Sequence, residues 1–219
     1  IMLMNTEGRF IDSFILPGNV HMKASQQGPR QNGVFEGSTF VKNKSRLLVS
    51  IEEPLYEDGP RAGLNDSAAL LRILEFDVKD RKPLAQYAYR ADPVAHPPDP
   101  PGSFRINGIS EILARNDHQL FVVERSYSTA RRSSTIKIYM AELNGATDVS
   151  NYSSLSGVAL HFIEKQLVLN MDTLGIYVDN VEGICFGPIL PNGHKTIILV
   201  SDNNFSRQQE TQFFLFEME

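Results

Sequence analysis

Six acidic residues stand in three matching pairs along this sequence: Glu36 with Glu52, Glu111 with Glu124, and Glu182 with Asp202. Each pair brackets a turn. Asn43-Lys44, Asn116-Asp117-His118 and Pro191-Asn192-Gly193 lie midway between the members of their pairs. Residues equidistant from the turn of an antiparallel hairpin face each other. Each hairpin is therefore expected to set two carboxylates side by side at its open end. Like charges placed opposite one another are destabilising unless something compensates, and here that cost recurs three times. Asn32, Asn107, Asn180, Asn203 and Asn204 flank the acids. A ring of carboxylate and amide oxygens suits a hard cation, and Ca²⁺ takes about six to eight of them. The expected metal ligands are Glu36, Glu111, Glu182, Asp202 and Asn180. The alternative is that the acids pair with arginine or backbone N–H groups and fix the centre of the fold without metal.

Other residue types narrow the chemistry. Arg125 follows Glu124 at a strand end and is placed to hold a phosphate or carboxylate oxygen bidentately. Tyr127 and Asn204 complete the expected substrate contacts. Glu52 or Glu124 would be the proton carrier, with Arg125 steadying transition-state charge. Nucleophile signals are weak: there is no G-x-S-x-G elbow, and His118 and His194 fall in the far turns. His96 lies in a proline-rich stretch, and Cys185 sits inside a strand, where a buried, inert thiol is expected. No HxH or HExxH spacing supports a soft-metal site. Phe213, Phe214 and Phe216 read as core.

The elements that must position these groups are short β runs bounded by Gly, Asn, Asp and Pro. Two strands flank Thr6-Glu7-Gly8, within residues 9–16 on the second side. Further strands are expected at 37–41, 46–52, 71–78, 84–89, 110–114, 119–124, 135–143, 166–171, 183–186, 196–201 and 211–217. Residues 93–102 hold five of the twelve prolines and form a surface connection. Residues 56–69 and 144–156 read as loops, and 156–164 as a helical turn. Three segments repeat one another: NGVFEGSTFVKNKSRLLVSIEEPL, NGISEILARNDHQLFVVERSYS and DNVEGICFGPILPNGHKTIILVSDNNF. Each is followed by another β run, LLRILEFDV, TIKIYMAEL or TQFFLFEME. Strand–turn–strand–loop–strand with a fourth strand is the anatomy of a propeller blade. The repeat is longer than the usual blade of roughly 40–50 residues, and the inserted loops account for the excess. The expected fold is an all-β propeller of four-stranded antiparallel blades in one domain, residues 1–219. About three full blades are expected, with N-terminal strands of another.

Composition sets the outer limits. The chain has 219 residues, 42% of them hydrophobic and 21% charged, with a formal net charge of −5. That balance buries a real core. It argues against a nucleic-acid backbone or an anionic membrane as the main partner, since either wants a basic face. No run approaches the roughly 18 apolar residues of a membrane span. The single cysteine excludes an internal disulfide framework and a multi-thiolate metal site. The opening IMLMNTEGRFIDSFILP has neither the charged start nor the cleavage site of a signal peptide.

The strings NGVFEGSTF, SIEEPL, NGISEI, VVERSYS, DNVEGICFGP and LVSDNNFS, with TQFFLFE near the end, resemble the bacterial phytase-like domain described as having esterase-like activity of phytase. The resemblance covers nearly the whole chain. It implies a β-propeller, often exported, loosely related to calcium-dependent β-propeller phytases. Members of that family carry a further N-terminal blade with a GLSG…SDD-like stretch that this sequence lacks, so a missing blade is expected here. Two functions follow as expectations. One is a metal-dependent hydrolase of a small phosphoester or ester, using Ca²⁺. The other is a non-catalytic propeller binding a ligand or protein partner, with structural acids.

Overall fold

The structure is a computed structural model that describes residues 1–65 and 69–218. It is built almost wholly from antiparallel strands. Strands β1 (Met2–Met4) and β2 (Phe10–Ser13) form an N-terminal hairpin. Its turn is set locally: the Asn5 side chain accepts from the backbone N–H of Glu7 and Arg9, and Gly8 takes φ 77°, a conformation glycine adopts without steric cost.

Three larger sheets follow, each a simple meander. The first runs β3 (Phe35–Val41), β4 (Arg46–Ile51), β5 (Leu70–Asp77), β6 (Lys82–Arg90). The second runs β7 (Arg105–Ala114), β8 (Gln119–Ser128), β9 (Thr135–Glu142), β10 (Glu164–Asn170). The third has three strands, β11 (Asn180–Phe186), β12 (Lys195–Asp202) and β13 (Phe213–Met218). Each sheet is entered at the strand nearest the centre, and β7 touches both β3 and β11. Successive sheets stack face to face, which is the blade architecture of a propeller. Two blades are four-stranded and the third has three strands among the described residues, so the expected third full blade lacks its outer strand there.

The core lies between blades. Leu48, Leu71, Ile73, Ile109, Ile112 and Leu120 pack the first sheet onto the second. Phe121, Val123, Ile136, Ile138, Val181 and Leu199 pack the second onto the third. A full burial of one such side chain contributes about 1.5–3 kcal/mol. The outer face of the first sheet is covered from the N-terminal side by Ile1, Phe14 and Leu16, with the Phe14 and Phe76 rings edge-on at 5.6 Å.

Several expectations are corrected here. Residues 156–164 hold no helix; they run as a turn and an extended segment into β10. Cys185 is exposed rather than buried. Strand alternation turns Ile184 into the core and Cys185 to the other face of the third sheet. For the same reason Phe213 is 74% exposed, while Phe214 and Phe216 pack against the core. The expected loop at 56–69 contains a 3₁₀ turn at Tyr56–Asp58, and its residues 66–68 lie outside the described residues.

The blades meet too closely at the centre for side chains at two positions. A Cβ on Gly108 would lie 2.4 Å from the Glu52 carbonyl oxygen, and one on Gly37 would lie 2.5 Å from the Ile112 nitrogen. Glycine at both lets β3, the end of β4 and β7 approach, and Ile109 N–H donates to the Glu52 carbonyl at 3.3 Å. The glycine of the repeated Asn-Gly word is therefore a packing device that brings Glu52 to the centre.

Candidate active site

The three innermost strands share an irregularity. The ladder slips between Phe35 and Ser38 in β3, between Ile109 and Glu111 in β7, and between Val181 and Gly183 in β11. Each slip is a β-bulge, and bulges re-aim side chains. Glu36 and Glu182 stand within their bulges, and Glu111 directly follows Ser110 in the third. Because of the slips, no acid pair is directly opposed. Glu111 faces Val123, Glu124 faces Ile109, and Asp202 faces Asn180. The expected side-by-side carboxylates are thus replaced by a staggered arrangement. The midpoint argument fails by one or two residues, because a bulge adds a residue to one strand only.

Four of the expected residues come together at the centre. Arg125 donates from Nη1 to Glu182 Oε1 at 2.7 Å and to the Asn180 side-chain oxygen, and from Nη2 to Glu52 Oε1 at 2.5 Å. Asn180 also donates to Glu182 at 2.7 Å. These groups arrive from the second sheet, the third sheet and the end of β4. They form the floor of an open cavity of about 1040 Å³, whose wall includes Glu36, Tyr127 and Asn204. Arg125 uses three of its five N–H donors in this way. Its Nε–H and one Nη2–H have no protein acceptor among the described residues.

Glu124 is elsewhere. It is fully buried between the first and second sheets, where Tyr89 O–H (2.7 Å), the Asn107 amide (2.8 Å), Asp92 N–H (2.9 Å) and Lys165 Nζ (2.6 Å) all donate to it. Lys165 also reaches Asp92, which accepts from Lys137 and Tyr139 as well. Burial works to raise the Asp92 carboxyl, but these donors overcome it and lower it to about 2. Glu124 and Asp92 belong to an ion network that locks two blades together. Glu111 accepts at 2.9 Å from Ser38 N–H and Ile112 N–H, tying β3 to β7. Asp202 is exposed and lies outside the cavity wall. Of the residues expected to act on substrate or metal, Glu111, Glu124 and Asp202 are therefore set apart from the cavity.

Electrostatics single out Glu52. Burial pushes its carboxyl up from the model-compound value of 4.5 to about 7; Arg125 pulls it down and Glu36 pushes it up. Glu36 is raised by burial, lowered by Arg125, and raised again by Glu182 and Glu111. Glu111 is raised by burial against its two N–H donors. A carboxyl raised in the folded state holds a proton that the unfolded chain releases. Its stabilising effect is thus full below about pH 4.5 and is lost as pH rises through about 7. For Glu52 alone this amounts to on the order of 3 kcal/mol. We expect the urea midpoint to fall between pH 5 and 8, and the fall to be shallower in Glu52→Gln; an equal slope in both proteins would show that Glu52 titrates normally.

The cavity holds acids and bases that the sequence did not single out. Glu53, adjacent to Glu52 in SIEEPL, pairs with Arg61. Asp179 is buried and accepts from Tyr177 O–H at 2.7 Å and Glu210 N–H at 2.6 Å. Burial opposes its ionisation, yet these donors lower it overall. The repeated acid in SIEEPL and the acid opening DNVEG were the available signals; Arg61 and Phe104 gave none.

The fit to Ca²⁺ can be judged on the donors. The carboxylates of Glu52 and Glu182 converge on the Arg125 guanidinium, so a cation already stands where their charges meet. Among the described residues no group of three or more His, Cys, Asp or Glu is gathered closely enough to hold a metal ion. As arranged, Glu52 and Glu182 each give their Oε1 to Arg125. Among the same residues no helix is long and apolar enough to cross a membrane.

No curated protein and no solved structure matches the chain. The family model described as Phytase-like, esterase-like activity of phytase, matches residues 1–205, and the chain belongs to that family.

Proposed function

We propose that the cavity hydrolyses a small ester or phosphoester, with Glu52 as the proton carrier and Arg125 as the donor to developing negative charge. One observation carries this reading: a carboxyl brought to about 7 touches a guanidinium with two unused donors on the floor of an open cavity. A general acid–base group works best when it titrates near the working pH. Ionised Glu52 takes a proton from the attacking water, whose oxygen bonds to the carbonyl carbon or phosphorus. The free N–H groups of Arg125 receive the charge that builds on the carbonyl or phosphoryl oxygen. Protonated Glu52 then returns its proton to the leaving oxygen as the ester bond breaks. Glu182 and Asn180 keep Arg125 aimed, which fixes this geometry in advance. Glu36, which forms no side-chain hydrogen bond among the described residues, faces the cavity as a second carboxylate able to orient water.

The scaffold alternative describes Glu124 and Asp92, each with protein donors on both carboxylate oxygens, and Glu111, whose Oε1 is held by two backbone N–H groups. In this reading Ca²⁺ is a competitor of Arg125 for Glu52 and Glu182. The test is a panel of carboxylic and phosphoric esters assayed from pH 5 to 9, with Ca²⁺ or with chelator. We expect kcat/KM to rise through an inflection near pH 7 and to survive chelation. Turnover that vanishes with chelator and returns with Ca²⁺ would replace Arg125 by the metal as the charged centre. No turnover across the panel would leave a binding protein.

A further inference from the structure

We propose that Phe104 and Tyr127 form a stacking wall for a planar ring in the substrate, beside the Glu52–Arg125 pair. This rests on the reading of that pair as the reacting groups and adds the class of molecule they act on. Phe104 is 58% exposed, yet it lines the charged cavity rather than an outer sheet face. Its ring and that of Tyr127 lie 6.2 Å apart, tilted by 40°. Ile106, directly across the ladder from Tyr127, extends the same apolar strip along the cavity.

The wall is rigid. Thr129 donates to the Phe104 carbonyl from its backbone N–H at 3.0 Å and from its hydroxyl at 2.9 Å. Phe104 immediately precedes β7, whose first residue, Arg105, pairs with Ser128 of β8. The wall is also at a defined distance from the chemistry. Arg125 and Tyr127 are two residues apart on β8 and so project from the same face, one step of about 7 Å apart. A ring bonded near the ester group would lie on the aromatic wall while its carbonyl or phosphoryl oxygen faced the free donors of Arg125. Aromatic faces reward a ring by offset or edge contacts beyond plain burial. A flexible alkyl chain gains no such contact and loses rotamer freedom on ordering.

The test compares phenylphosphonate with hexylphosphonate by NMR titration, and benzyl acetate with hexyl acetate by turnover. Phenylphosphonate should bind about 3–10-fold more tightly than its alkyl counterpart, with saturation transfer strongest at the ring protons. Phe104→Ala should bring the two within about twofold, and Phe104→Tyr should retain the preference. Phe104 is largely exposed, so a melting curve is expected to show both variants folded. Equal affinities in the parent protein, a preference that persists in Phe104→Ala, or no binding of phenylphosphonate would overturn the ring subsite. Ring-selective binding without turnover of any ester would overturn hydrolysis and leave the subsite standing. Turnover with no preference for benzyl over hexyl acetate would do the reverse.

Discussion

Glu52→Gln is expected to lower kcat/KM for any ester the protein turns over by about 10²–10⁴-fold. The substitution is close to isosteric. The glutamine side-chain oxygen still accepts from Arg125 Nη2, where Glu52 Oε1 now accepts at 2.5 Å. What is lost is the proton-carrying group, together with the inflection that a carboxyl near 7 imposes on the pH–rate profile. The loss should fall on kcat more than on KM, because proton transfer belongs to the transition state. Glu124→Gln is the matched control. Glu124 accepts from four donors between the blades, away from the cavity. Its replacement should lower stability and leave the pH–rate inflection in place. A Glu52→Gln protein with parental rates, or a Glu124→Gln protein that loses the inflection while still folded, would place the proton carrier elsewhere.

The second large effect is structural. Arg72 and Asp58 are both wholly buried and pair through two bonds, Nε to Oδ2 at 2.7 Å and Nη2 to Oδ1 at 2.8 Å. Arg72 also donates to the Gln86 side chain and to the carbonyls of Val149 and Tyr152, and Asp58 accepts from Leu155 N–H. The pair thus clamps two loops onto the outer part of the first sheet. Removing one partner leaves an uncompensated charge in the interior, at a cost of about 3–5 kcal/mol. That is a large fraction of a typical folding free energy of about 5–15 kcal/mol. We expect Asp58→Ala to unfold at a much lower urea concentration than the parent. The double variant Asp58→Leu with Arg72→Met should recover most of the loss, since an apolar pair of similar volume removes the stranded charge. A loss below about 1 kcal/mol in Asp58→Ala would mean that water enters and solvates Arg72.

Local chemistry made the order of elements legible. Alternating apolar runs and Asn/Gly turns mark the strands, and the N-terminal hairpin follows from Asn5 and Gly8. The threefold repeat marks successive blades, because each repeat carries the same strand–turn–strand pattern. The same words identify Glu36, Glu182, Asn180, Arg125, Tyr127 and Asn204, which line one cavity. Partnerships across sheets were not legible. Arg125 meets Asn180, Glu182 and Glu52 only because β7 stands against both β3 and β11 and two glycines allow the close approach. Lys165 reaches Glu124 from the far strand of the second sheet, and no spacing along the chain announces it. Symmetry about the turns failed for a related reason. A bulge in each innermost strand shifts the register by a residue, and that shift decides which way an acid points. The sequence therefore determined which residues lie on which strand. The tertiary structure decided which charges share a site, because hydrogen bonds between sheets and the packing of bulged strands set distances that no single hairpin encodes.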